Sequence, residues 1–282
     1  MTTVCIMGAG ELGGAIAHAL AQRERVGRVV LIDPASTVAA GKALDIQQAG
    51  AVEGFHTQLS GTDDVTRVAG CEVCVVADRS GSPPVEWKGE EGLALVGRLA
   101  GYLDRAPVVC AGATQAALLF DAVREGRLGR ERVIGSSPVA FQAALRAIVA
   151  MEARCSPADV NLAVLGTPPD GFVVPWSEAS IGGYALDRVL TQVQLARLEA
   201  RAPRLWPPGP YALGLAAARV VEGLLTSSRH AFSVLSVLGG EFGVRGRVGA
   251  LPALLSPTGI AHVRVPTLNT RERVHLETAL GT

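Results

Sequence analysis

Val4-Cys5-Ile6-Met7-Gly8-Ala9-Gly10-Glu11-Leu12-Gly13 is the stretch that decides the fold of this 282-residue chain. A β-rich run, Thr3–Met7, leads straight into G-x-G-x-x-G, and helical apolar spacing over Glu11–Gln22 follows. Strand, glycine turn and helix in that order form the fingerprint of a dinucleotide-binding βαβ unit. Gly8 allows the tight turn, Gly10 lets a pyrophosphate approach the backbone, and Gly13 lets helix and strand pack closely. Glu11 and Leu12 open the helix, whose unpaired N–H groups and positive dipole end face the phosphates. Asp33 stands twenty residues beyond Gly13, where the second strand ends. A carboxylate there accepts hydrogen bonds from ribose hydroxyls and repels a 2′-phosphate, so the expected cofactor is NAD rather than NADP. Ala77 ends a later strand and Asp78 follows it, where the strand's C-terminal end borders the same crevice, and the two complete the expected cofactor-binding set.

Outward from this unit, strands and helices alternate. Strands are predicted at Val26–Ile32, Thr57–Ser60, Glu72–Ala77, Pro107–Cys110 and Arg132–Gly135, with helices at Ser36–Gln48, Glu90–Leu103 and Gln115–Arg124. That alternation implies right-handed crossovers and a parallel sheet. After about Phe141 the pattern becomes mixed. Helix Phe141–Ala153, strand Val160–Leu165, helices Leu190–Ala200 and Tyr211–Leu225, strand-like Ala231–Leu238 and Arg247–Leu255, and a last helix Thr270–Leu280 are expected. The class is α/β: a doubly wound Rossmann sheet over residues 1–138 and a second, α+β domain over 139–282.

Composition is that of a globular protein, 49% hydrophobic and 18% charged with zero formal net charge. It offers no electrostatic reason to expect nucleic acid or an anionic membrane as a partner. The start, Met1-Thr2-Thr3, lacks the basic region and cleavage site of a signal peptide, so a cytoplasmic location is expected. No apolar run reaches membrane-spanning length without interruption. Five cysteines (Cys5, Cys71, Cys74, Cys110, Cys155) lie mostly in strand-like runs. Cys71-Glu72-Val73-Cys74 spells C-x-x-C but has no second pair to complete a metal site, and buried reduced thiols are expected.

Gly41-Lys42-Ala43-Leu44-Asp45-Ile46-Gln47-Gln48-Ala49 resembles the helix that follows the second Rossmann strand in the lactate/malate dehydrogenase family. Thr62-Asp63-Asp64, Arg132-Val133-Ile134-Gly135, Val164-Leu165-Gly166, Ile181-Gly182-Gly183, the segment GGEFGV at 239–244 and the terminal NTRERVHLETAL also resemble family positions, in order, over nearly the whole chain. The resemblance implies a homodimer or tetramer. It also implies a proton-exchanging histidine, an aspartate that holds that imidazole, an arginine on the substrate carboxylate, and further arginines on a mobile loop.

The positions that should carry this chemistry do not. The histidine position falls on Pro168, within Gly166-Thr167-Pro168-Pro169-Asp170. The orienting aspartate falls on Phe141 and the carboxylate-binding arginine on Ala144. Arg146 lies two residues further on, about 200° around a helix axis. The mobile loop, Ala77 to Glu90, has no arginine near Pro83 and Pro84, and the second loop arginine is at best Lys88, the one catalytic candidate left. The Thr-Asn-Pro turn expected near nicotinamide has become Cys110-Ala111-Gly112. For His18, His56, His230, His262 and His275 a structural role outweighs a catalytic one, His230 being the one to check. Asp78 and Arg79 either border the cofactor or form an exposed loop ion pair. Two functions follow: an NAD(H)-binding family member without the 2-hydroxy acid chemistry, or an active NAD-dependent oxidoreductase with a remodelled site and a different substrate.

Overall fold

The computed structural model describes residues 1–126 and 128–281. Its first half comprises β1 (Thr3–Met7), α1 (Glu11–Arg23), β2 (Arg28–Ile32), α2 (Ser36–Glu53), β3 (Gln58–Thr62) and β4 (Val73–Val76). A two-strand hairpin, β5 (Asp78–Arg79) and β6 (Val85–Glu86), is followed by α3 (Gly89–Ala100), β7 (Val108–Cys110), α4 (Ala116–Arg124), β8 (Val133–Gly135) and α5 (Ser137–Ala153). Six strands pair in parallel in the order β3-β2-β1-β4-β7-β8. That is the doubly wound Rossmann order, whose ligand crevice lies beyond the C-terminal strand ends where the order reverses. The strands read as continuous apolar runs because both faces are covered: Val4, Ile6, Val73 and Val75 face one core, Cys5, Met7, Cys74 and Val76 the other.

The second half adds β9 (Val160–Asn161), β10 (Leu165–Thr167), β11 (Gly171–Val173), β12 (Ser180–Ile181), β13 (Tyr184–Ala185), α6 (Leu186–Val189), α7 (Gln192–Arg201) and α8 (Pro210–Leu225). It closes with β14 (Phe232–Gly239), β15 (Arg245–Ser256), β16 (Gly259–Val263) and α9 (Thr270–Leu280). β14 pairs antiparallel with β8 at Leu235–Gly135, and β15, β10, β11 and β16 extend one sheet to eleven strands. Helix α8 packs on α1: Leu213, Ala217, Val220 and Val221 share a buried cluster with Ile16 and Leu20. Among the described residues no helix is long and apolar enough to cross a membrane.

Several boundaries move for physical reasons. The single strand expected over Val160–Leu165 is two: β9 joins a three-stranded sheet with β12 and β13, while β10 joins the main sheet. Gly166, at φ +77°, lies within β10, where it pairs with Phe172 of β11 and Ala250 of β15. Pro168, Pro169 and Asp170 form the tip of the β10–β11 hairpin. Helix α5 starts at Ser137, four residues before the expected Phe141, with a proline in its first turn. Helix α3 stops at Ala100 rather than Leu103, and α2 runs on to Glu53, where Gly54 at φ +86° ends it. Cys71 precedes β4 and Cys74 lies within it; both are buried, free thiols.

Candidate functional site

At the end of β1, Gly8 takes φ +113°, open to glycine alone, and donates its N–H to the Ile32 carbonyl at 2.7 Å. The chain leaving β4 runs directly against this turn. A Cβ at Gly8 would stand 2.1 Å from the Asp78 carbonyl oxygen, and one at Gly10 would stand 2.3 Å from the Asp78 carboxylate. Gly10 N–H donates to the Asp78 carbonyl at 3.0 Å. The Asp78 carboxylate itself accepts from Leu12 N–H at 3.1 Å and Gly13 N–H at 2.8 Å, the free donors of the first α1 turn. Lys42 on α2 donates its Nζ to the Gly10 carbonyl at 2.6 Å. Burial pushes the Asp78 carboxyl above the usual carboxylate range, against the pull of these N–H groups and of Lys42. Asp78 is 5% exposed, so the exposed ion pair weighed for Asp78 and Arg79 is not what forms. Arg79 instead pairs with Glu91 at 2.7 Å and lies over the Trp87 ring.

Asp33, at the end of β2, is fully saturated by the chain. Its carboxylate accepts from Ala9 N–H at 2.8 Å, Ala35 N–H at 3.0 Å, Ser80 N–H at 2.8 Å and Ser80 Oγ at 2.7 Å. Burial opposes its charge, but these hydrogen bonds outweigh burial and hold the carboxyl below its ordinary value. Glu86 closes the other end of the same segment: its carboxylate accepts from Ala113 N–H at 2.9 Å, Thr114 N–H at 2.9 Å and Thr114 Oγ1 at 2.7 Å. A Cβ at Gly112 would stand 2.3 Å from Glu86 Oε2. Gln115 locks the base of the arrangement, donating to the Ala77 and Trp87 carbonyls at 3.1 Å each and accepting from Gly112 N–H at 2.8 Å.

The cofactor residues expected from the sequence thus come together at the ends of β1, β2 and β4: Gly8, Gly10, Leu12 and Gly13 meet Asp78, Asp33 holds Ala9 of the same turn, and Ala77 precedes Asp78, with Glu11 exposed on the first turn of α1. Ser80, Glu86 and Lys42 join them and were not expected. Only Lys42 carried a signal, its place in the helix after Asp33, since the other two reach the crevice through a hairpin too short to leave a periodic pattern. Lys88 is exposed and sits just before α3, outside this hydrogen-bonded group.

The positions that the sequence resemblance assigns to catalysis are apolar. Phe141 is completely buried, edge-to-face with Phe172 at 4.9 Å and Trp206 at 5.6 Å between centroids. Pro168 is buried at the hairpin tip, and Ala144 is half-buried on α5. Arg146 turns away and donates to the Pro157 carbonyl from Nε at 3.0 Å and Nη2 at 2.6 Å. His56 is exposed and bound to Glu24 at the far end of α1, and His18 packs edge-on against Phe55. His230 is held below its ordinary value by burial and by the nearby Arg219 and Arg146 charges. His262 and His275 are exposed.

Residues 2–99 match the family profile described as lactate/malate dehydrogenase, NAD binding domain. The likeness continues beyond that domain. The chain is 28% identical to the malate dehydrogenase of Cytophaga hutchinsonii, with 98% of this chain and 94% of the relative covered. It is 28% identical to that of Roseiflexus sp., over 95% and 92%. Among solved structures, malate dehydrogenase from Aeropyrum pernix superposes with a TM-score of 0.89 at 22% identity, covering 98% of this chain and 95% of that one. A lactate dehydrogenase from Cryptosporidium parvum, complexed with lactic acid and nicotinamide adenine dinucleotide, gives 0.88 at 21%, covering 99% and 94%. The matched domain implies NAD as the cofactor. The fit between that cofactor and this arrangement of the cradle is poor: the helix N–H donors and the Asp33 oxygens are already engaged, and the space at Gly10 is filled by Asp78.

Proposed function

We propose that this chain is a lactate/malate dehydrogenase family member that keeps an NAD(H)-binding domain over residues 1–138 but does not transfer hydride between 2-hydroxy and 2-oxo acids. Residues 139–282 correspond to the family's substrate-binding half without its catalytic groups. The observation that carries this reading is Phe141, completely buried between Phe172 and Trp206 where the resemblance calls for an ionised aspartate. An apolar cluster cannot hold an imidazolium in place, and Pro168 supplies no imidazole to be held. No cation stands at Ala144 to pair with a substrate carboxylate, and Arg146 is committed to the Pro157 carbonyl. A change of substrate keeps the proton-transfer group and alters the pocket; here the proton-transfer and the carboxylate-binding positions are altered together, which favours loss of the reaction over altered specificity.

In this reading the protein is cytoplasmic and self-associating. Tyr211 and Leu215 on α8 are exposed and share a cleft with Lys42 and Ile46 on α2, and this face is the surface for a homodimer or a dimer of dimers. The test is steady-state turnover of wild-type protein and of Pro168→His with NAD⁺ and a panel of 2-hydroxy acids, and with NADH and the matching 2-oxo acids. Neither protein is expected to exceed the enzyme-free rate. Turnover by the wild type that scales with enzyme would remove the proposal.

A further inference from the structure

Three hydrogen-bonding positions line the dinucleotide crevice: the N-terminus of α1, the acid closing β2 and the turn after β7. One nine-residue segment, Asp78–Glu86, takes all three. Asp78 puts a carboxylate on Leu12 and Gly13 N–H, and its carbonyl receives Gly10 N–H. Ser80 puts a hydroxyl and an N–H on Asp33, as a ribose would present its hydroxyls. Glu86 puts a second carboxylate on Ala113 and Thr114 beside Gly112. The glycine at position 10 is required in a dinucleotide fold because phosphate oxygens approach its backbone closely. Here the atoms within 2.6 Å of a Cβ built at Gly10 all belong to the Asp78 carboxylate.

An anion at this place is stabilised by charge-assisted hydrogen bonds and by the positive end of the helix dipole, whether it comes from a ligand or from the chain. We infer that the β5–β6 hairpin is a built-in occupant of the cofactor crevice, with Asp78 standing in the place of the pyrophosphate, so that NAD(H) binds only by displacing it. The inference rests on the proposed retention of an NAD(H)-binding domain and adds how access to it is controlled. Apparent affinity falls in proportion to the fraction of molecules with the hairpin lifted. The hairpin is anchored through side chains at both ends. Its tip, Gly81 to Pro83, is exposed, so lifting it does not require opening the sheet. Mononucleotides that carry a pyrophosphate group compete for the same donors, and adenosine does not.

The test is isothermal titration of the full chain with NAD⁺, NADH, ADP and adenosine. Wild type, Asp78→Ala and the double variant Ser80→Ala/Glu86→Ala are compared at equal concentration, with near-UV circular dichroism confirming that each is folded. Asp78→Ala is expected to bind NAD⁺, NADH and ADP at least ~10-fold more tightly than wild type, by releasing the closed fraction. The double variant frees the hairpin without touching the glycine turn and is expected to move affinity in the same direction, which keeps the test decisive should Asp78→Ala fail to fold. Equal affinities in wild type and the folded variants, including no binding by any of them, overturn the inference, as does weaker binding by the variants. Turnover assays separate it from the functional proposal: an active wild type with tighter-binding variants removes only the catalytic reading, an inactive wild type with equal and measurable affinities removes only this one, and no binding by any protein removes both this inference and the proposed NAD(H) binding.

Discussion

Ser80 donates both its backbone N–H and its hydroxyl to the carboxylate of Asp33, at 2.8 and 2.7 Å. A residue of the β5–β6 hairpin is thereby tied to the acid that a dinucleotide fold reserves for ribose. The pair also sets the titration of Asp33. Its carboxyl lies below the ordinary range, so the stability it contributes is present above the unfolded-state value and is lost as pH falls through the lower folded-state value.

Ser80→Ala removes the hydroxyl bond and keeps the N–H bond. It is expected to cost about 1.5–3 kcal/mol at neutral pH, the range for a hydrogen bond to a charged group. The Asp33 carboxyl moves up, so the acid-side loss of stability begins at a higher pH than in wild type. Urea unfolding midpoints across the acid range check both parts, and superimposable profiles would show that the hydroxyl bond is not formed.

Phe141 predicts against the simplest attempt to rebuild the reaction. Phe141→Ala empties a fully buried aromatic site and is expected to cost about 3–5 kcal/mol. Phe141→Asp puts an unpaired carboxylate among Phe172 and Trp206 and costs more, because burial of an uncompensated charge adds to the cavity. Thermal melts of both variants check the order. A Phe141→Asp protein as stable as wild type would mean the position is open to water or to a cation.

Glu86 fastens the far end of the hairpin. Its three bonds to Ala113 and Thr114 are partly solvent-exposed, so Glu86→Ala is expected to cost only about 1 kcal/mol overall. The local effect is larger than the global one. Amide hydrogen exchange at Ala113, Thr114 and the Asp78–Glu86 segment should accelerate while β1 and β4 stay protected. Unchanged exchange at these amides would mean the carboxylate does not hold the turn.

Much of the fold was legible because its signals are local. The turn after β1, the spacing to Asp33 and the alternation of apolar strands with helices each lie within a short window, and the parallel order follows from them. The apolar positions Phe141, Leu145, Ile148 and Val149 likewise mark the buried face of α5 by their spacing alone. What Phe141 packs against was not legible: Phe172 and Trp206 come from distant segments. The break between β9 and β10 was hidden because Val160 to Leu165 is apolar apart from Asn161, and the Gly166 dihedral that follows the run cannot be read from composition. The hairpin was the largest gap. Asp78 follows its strand whether it faces solvent or folds back onto Gly13, 65 residues earlier, and only the three-dimensional arrangement distinguishes the two.

The proposed loss of the reaction is tested most directly by NADH formation from NAD⁺ with malate and with lactate, using the folded Asp78→Ala variant at high enzyme concentration so that cofactor access is not limiting. The account predicts a rate no different from the enzyme-free control, and no burst of one NADH per active site. A burst, or turnover proportional to enzyme and abolished by Lys88→Met, would contradict it and place a working proton-transfer group in the loop that ends at Lys88.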